Sequence, residues 1–102
     1  MIKLNVLYPQ PTSVDDFEKD YASHLQLLHE KLGIPADQKP YCLIKYLPSP
    51  EGPAPYYQMF AMPFESEEAF QAAMSSQEMQ DIAADAHRIS SGGAPVIMVG
   101  NE

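Results

Sequence analysis

Two stretches of this chain are apolar on both of their alternating faces, and that pattern constrains the fold more than any other. In Tyr41-Cys42-Leu43-Ile44-Lys45-Tyr46-Leu47, one parity carries Tyr41, Leu43 and Leu47, and the other Cys42, Ile44 and Tyr46. In Tyr56-Tyr57-Gln58-Met59-Phe60-Ala61-Met62-Pro63-Phe64, Phe60, Met62 and Phe64 oppose Tyr57, Met59 and Ala61. Their length and their Tyr, Phe, Ile and Leu content suit strands, whose successive side chains point to opposite faces. A sheet wet on one side alternates polar and apolar residues, and these segments do not. Each such side chain left in water forgoes roughly 1.5–3 kcal/mol. Both sides of the sheet therefore need cover.

The rest of the chain supplies cover for only one side. Ile2–Tyr8 reads as a first strand, stopped by Pro9 and Pro11. Thr12-Ser13 ahead of Asp15, Asp16 and Glu18 marks a helix start: a hydroxyl caps free amides, and acids meet the positive end of the dipole. At about 100° per residue, Val14, Phe17, Tyr21, Leu25, Leu28 and Leu32 form one stripe, and Gly33 followed by Pro35 ends the helix. Pro48–Pro55 holds four prolines in eight residues, which makes it a stiff exposed connection. Ser66 caps a second helix reaching Met74; Ser75-Ser76 breaks it, with Ser75 and Glu78 spaced as a capping box for its restart. Met79, Ile82, Ala83, Ala86 and Ile89 are the stripe of that second half. Ala94–Gly100 reads as the last strand.

Strand, helix, strand, strand, helix, strand is the split-βαβ, ferredoxin-like order: an α+β fold with a four-stranded antiparallel sheet and both helices on one face. At 102 residues it is a single domain, residues 1–102. The uncovered face is the reason to expect a homodimer, a second copy packing its sheet against this one.

Charge narrows the ligand. Six basic residues stand against fourteen acidic ones, a formal net charge of −8. No basic stripe is present to neutralise phosphates or anionic lipid, so nucleic acid and membrane are not expected as partners. Arg88 is the lone bidentate fork, which disfavours a strongly anionic ligand. A single cysteine, Cys42, and an N-terminus without a signal-like apolar core point to the cytoplasm.

The string Phe17-x-x-x-Tyr21-x-x-His24-Leu25, together with Ile2–Pro9, Pro55-Tyr56-Tyr57 and the broken second helix, resembles the EthD family of the dimeric α+β barrel superfamily. The likeness spans essentially the whole chain. It implies a ferredoxin-like protomer that pairs into a barrel, with a small-molecule cavity between helices and sheet; a volume of a few hundred Å³ beside His24 is what separates a ligand-binding protein from a purely structural dimer. The family is named for its association with bacterial ethyl tert-butyl ether degradation. Its superfamily includes cofactor-independent monooxygenases, polyketide cyclases, lactone isomerases and haem-degrading enzymes. Members usually follow the helical His-Leu with proline; Gln26 stands there instead.

Within that frame, His24 is the side chain suited to proton transfer near neutral pH. It falls about 60° from the centre of the helix stripe, at the edge of core and solvent. It serves either as a base facing a cavity or as a hydrogen-bonded interface histidine. Tyr21, one turn earlier, is its candidate catalytic partner or else a core tyrosine. Tyr8, Tyr46 and Phe17 are candidates for binding the substrate. Lys45 is expected to pair with an acid, Cys42 to be a buried inert thiol, and His29 and His87 to be solvated. Three scattered histidines make no metal site, and no cofactor fingerprint occurs. The functional expectation is cofactor-free isomerase- or cyclase-like chemistry on a small apolar or aromatic carbonyl compound. The alternatives are a non-catalytic binding protein of the same fold and a cofactor-free monooxygenase.

Overall fold

The computed structural model describes residues 1–102. The chain order is β1 (Ile2–Pro9), α1 (Val14–Leu32), β2 (Cys42–Lys45), β3 (Tyr56–Phe64), α2 (Glu67–Met74), α3 (Gln77–Ile89) and β4 (Val96–Asn101). The strands form one antiparallel sheet in the order β2-β3-β1-β4. This is the expected ferredoxin-like α+β arrangement. No helix is long and apolar enough to cross a membrane.

The helices form where local chemistry starts and stops them. The Ser13 hydroxyl accepts from the Asp16 amide at 3.3 Å, and α1 closes on Gly33, whose φ of 66° suits a residue without Cβ. The restart after α2 differs by one residue from the sequence expectation. Ser75 keeps helical angles and ends α2, whereas Ser76 turns extended and accepts from the Met79 amide at 3.2 Å. Only an extended residue can aim its hydroxyl back at the N3 amide, so Ser76 is the cap.

The core lies between β1, β3 and the helices. Ile2, Leu4, Val6 and Tyr8 are buried against Phe17, Tyr21, Leu28, Phe60 and the α3 stripe of Met79, Ile82, Ala86 and Ile89. The buried face of α1 is Phe17, Tyr21, His24 and Leu28, while Val14 is exposed and Leu25 and Leu32 are half-buried. Contact with α3 has rotated the buried face toward His24 relative to the stripe of apolar residues.

Cross-strand pairing shows what the helices leave bare. Leu4 pairs with Met62 and Val99, and Val6 with Phe60 and Ile97; these side chains share the helix side. Leu7 pairs with Met59 and Val96, and Asn5 with Ala61 and Met98, on the open side. Both edge strands are uncovered on either side. Leu43 and Ile44 of β2, and all four residues Val96–Val99 of β4, are exposed. Cys42 is exposed too, contrary to expectation, because it sits on the open side of the edge strand opposite Ala61.

Two close contacts tie the loops to the sheet. A Cβ on Gly92 would stand 1.9 Å from the Gln10 carbonyl oxygen, so only glycine lets this turn approach the end of β1. In the proline loop, Ser49 and Gly52 exchange backbone hydrogen bonds at 2.9 Å, and the Gln10 amide donates to the Ala54 and Tyr56 carbonyls.

Candidate active site

His24 stands in the middle of α1 with only 3% of its surface exposed, fully inside rather than at the edge. The α1–α3 seam places its Nδ1 2.9 Å from Oδ2 of Asp85, whose other oxygen accepts from Arg88 Nε at 2.7 Å. Burial works against a charge on Asp85. The hydrogen bonds from Arg88 and His24 outweigh it and hold the carboxyl below its ordinary value. An ionised carboxylate only accepts, so Nδ1 carries the proton and Nε2 keeps its lone pair. Burial also pulls the His24 pKa down, and Asp85 offsets only part of that effect. The imidazole is therefore neutral near pH 7, and Nε2 has no hydrogen-bond partner within the chain.

A cavity of about 50 Å³ opens beside this imidazole. Of its thirteen lining residues, twelve are apolar or aromatic and the remaining one is His24. It is smaller than the few hundred Å³ typical of a ligand pocket. Met62, Met74 and Met79 stand in its wall, and unbranched thioethers yield more readily than branched side chains. Tyr8 lines the same cavity. Burial, and then the negative charge of Asp85, push its hydroxyl pKa well up, so it stays a neutral donor. It makes no hydrogen bond to the protein. A base with a free lone pair and a neutral O–H donor thus share an apolar space.

Tyr21 and Phe17 do not line this cavity. They stack at 5.6 Å behind it, each edge-on to Tyr8 at 5.5 and 5.4 Å. Tyr46 is brought to neither group. It lies on the open side of the sheet, where its hydroxyl meets Met59 Sδ at 3.5 Å and its ring borders a depression with Leu7 and Pro55. Lys45 pairs with Glu18 at 2.7 Å, as an exposed strand-end lysine should. Glu18 also accepts from the Tyr57 hydroxyl, a bond that pushes the Tyr57 pKa up to about 12. His87 is exposed, but His29 is not solvated as expected. Its Nδ1 donates toward the Ile34 and Pro35 carbonyls at 3.2 Å, and Nε2 accepts from the Tyr41 hydroxyl at 2.6 Å. That fixes the loop after α1 to the start of β2.

Asp85 and Gln58 are the residues that sequence reasoning missed. Asp85 lies about 95° from the centre of the α3 stripe, on a flank where an acid reads as solvated. A signal was present: Asp85 falls next to Ile89 at the margin of the apolar face. Gln58 is polar inside an aromatic strand and only 1% exposed.

A family model described as the EthD domain matches residues 9–93. The chain belongs to the EthD family. An EthD family protein from Bacillus halodurans C-125 superposes with a TM-score of 0.83 at 27% identity, covering 100% of this chain and 98% of that one. An EthD-like protein from Ralstonia eutropha JMP134 gives 0.58 at 26% identity, over 97% and 88% of the two chains. A dimeric ferredoxin-like protein from Jannaschia sp. CCS1 gives 0.70 at 9% identity over the whole of both, a likeness of fold alone. No curated protein sequence matches the chain. The EthD family model covers the elements that carry His24 and Asp85.

Proposed function

We propose that this EthD protein is a homodimer that catalyses cofactor-free proton transfer on a small, mostly apolar carbonyl compound. The observation that carries the reading is the His24–Asp85 pair, which presents a neutral imidazole with a free Nε2 to an apolar cavity. Such a base removes a proton from a C–H bond that an adjacent carbonyl has made acidic. Charge then develops on the carbonyl oxygen, and the Tyr8 hydroxyl is the neutral donor placed in the same cavity to meet it. The imidazolium formed is stabilised by the Asp85 carboxylate and returns its proton to a different carbon or to the carbonyl oxygen, a net isomerisation; where the enolate carbon instead attacks a second carbonyl of the same molecule, the proton goes to that carbonyl's oxygen and the net reaction is a ring closure. Exclusion of water strengthens each of these interactions. Tyr21 and Phe17 hold the Tyr8 ring in place from behind.

The dimer follows from the open sheet side, where Leu7, Ile44, Met59, Val96 and Met98 lie together. The Jannaschia protein of the same fold is dimeric, which supports a dimer here. Tyr46 lies on that side and belongs to the interface in this reading.

The test is exchange of solvent deuterium into the activated C–H of a panel of small ketones and 1,3-diketones, followed by NMR. Wild-type protein accelerates exchange for at least one member, and His24→Ala abolishes the acceleration while the probe still binds. Undiminished exchange in His24→Ala, or no acceleration across the panel, overturns the assignment.

A further inference from the structure

The only arginine of the chain, Arg88, stands behind the base and outside the cavity wall. It sits in the last turn of α3, three residues after Asp85, so the two side chains share one face of the helix. Its Nε donates to Asp85 Oδ1 at 2.7 Å, while Oδ2 of the same carboxylate accepts from His24 Nδ1 at 2.9 Å. An ion pair on a wet helix surface is ordinarily worth little. This one has unequal ends: the Asp85 side chain is 16% exposed and the Arg88 side chain 57%. The guanidinium stays in water, and its charge still reaches a carboxylate inside the α1–α3 seam.

His24 feels this arrangement in two ways. The terminal torsion of an aspartate is soft, so one hydrogen bond leaves the carboxylate free to swing. A second bond, on the other oxygen, fixes its plane and keeps Oδ2 on Nδ1. The other effect is electrostatic. A carboxylate alone beside a buried imidazole favours the imidazolium, and a base that rests protonated cannot take a proton. A cation on the far oxygen opposes that. Burial lowers the His24 pKa most, Asp85 works against burial, and the charge of Arg88 lowers it again. The remaining groups around the ring are Tyr8 from β1 and Tyr21 from one turn earlier on α1, both kept neutral by burial. Asp20, on α1, acts on Arg88 from across the seam. An arginine is charged at every working pH, so its influence on the base does not itself titrate.

We propose that Arg88 is a positioning residue for the base: set on the far oxygen of Asp85, it keeps the carboxylate aimed at Nδ1 and the resting imidazole uncharged. The inference rests on the proposed use of His24 and adds to it the group that sets the pH range in which that base works. Proton transfer stays with His24.

The test follows the His24 ring C–H resonance by NMR against pH in wild type, Arg88→Gln and Arg88→Lys, with the signal assigned by its loss in His24→Gln. The pH profile of deuterium exchange into the ketone panel is measured beside it. Removing a positive charge favours the protonated ring, so the His24 midpoint in Arg88→Gln moves to higher pH, and the acid limb of the exchange profile moves up with it. Arg88→Lys restores the charge and returns both toward their wild-type positions. An unchanged His24 midpoint in Arg88→Gln overturns the inference, and so does a lysine variant that titrates like the glutamine one. A role confined to holding α3 together lowers the urea midpoint and leaves the His24 titration where it was, which overturns the inference as well. If the wild-type protein exchanges no probe, the proposed function falls, and the NMR titration still decides the role of Arg88.

Discussion

His24 and Asp85 stand 61 residues apart in the chain, and their side chains meet at 2.9 Å across the α1–α3 seam. The carboxylate fixes which nitrogen carries the proton and thereby which one is free. Replacing Asp85 with Asn keeps the shape and removes the charge that stabilises a protonated imidazole. Asp85→Asn lowers the deuterium-exchange rate by about 10²-fold or more, the range of a general-base contribution. It also lowers stability by about 1–3 kcal/mol, measured by urea denaturation, because a charge-assisted bond in a mostly buried place is lost.

Acid weakens the fold in two steps whose sign follows from the direction of the shifts. His24 has its pKa lowered from 6.5 in the folded state, so below pH 6.5 the unfolded chain binds more protons and stability falls as pH falls. The loss ends once the pH has passed the depressed folded value. Asp85 is lowered from 3.8, so its contribution is present above that value and is lost in turn on further acidification. The urea midpoint therefore drops as the pH falls below 6.5, and His24→Gln flattens that first step. Exchange activity needs the neutral imidazole of the folded protein, so it holds as the first step begins and falls only as the pH reaches the depressed folded value.

Phe17 contacts three aromatic rings, those of Tyr8, Tyr21 and Tyr57, at 5.4 to 5.6 Å. Phe17→Ala empties the middle of that cluster and costs about 3–5 kcal/mol in the urea midpoint and slope analysis. Val14→Ala, on the exposed first turn of the same helix, changes stability by less than about 0.5 kcal/mol.

Ser76→Ala removes the acceptor for the Met79 amide at the start of α3 and costs about 1 kcal/mol. Ser75→Ala costs less, since Ser75 ends α2 and its hydroxyl only donates back to the Gln71 carbonyl. Thermal melts of the two variants separate the assignments.

Charge on the open sheet side breaks the proposed dimer without touching the protomer core. Ile44→Asp and Met98→Asp halve the mass seen in sedimentation at micromolar concentration and leave the far-ultraviolet circular dichroism unchanged. A wild-type protein that sediments as a single subunit contradicts the dimer directly.

Most of the secondary structure was legible because it is local. Strand alternation, the Ser13 and Ser66 caps, Gly33 and the break before α3 each depend on a few adjacent residues. The site was legible only in part. His24 stood out by chemistry, but its depth did not, because the apolar stripe points about 60° away from it and only α3 decides which shoulder of α1 is covered. Tyr57 reads by parity with Met59 on the open side. A bulge between the Tyr8 and Pro9 pairs turns its ring onto Phe17 at 5.4 Å. Tyr46 reads as a strand-end candidate in the way Tyr8 does, but the sheet carries it to the opposite side from His24, beside Met59 and Leu7.

The order of elements, their boundaries and the need to cover a sheet apolar on both sides were determined by the amino-acid sequence, since each is a property of neighbouring residues and their period. Which polar groups meet was decided only by the tertiary structure. An acid on the flank of an amphipathic helix has the same local pattern whether it faces water or a histidine. The packing of α1 on α3 turned Asp85 into the partner of a base, and the pairing of β1 and β3 buried Gln58 beside Tyr8.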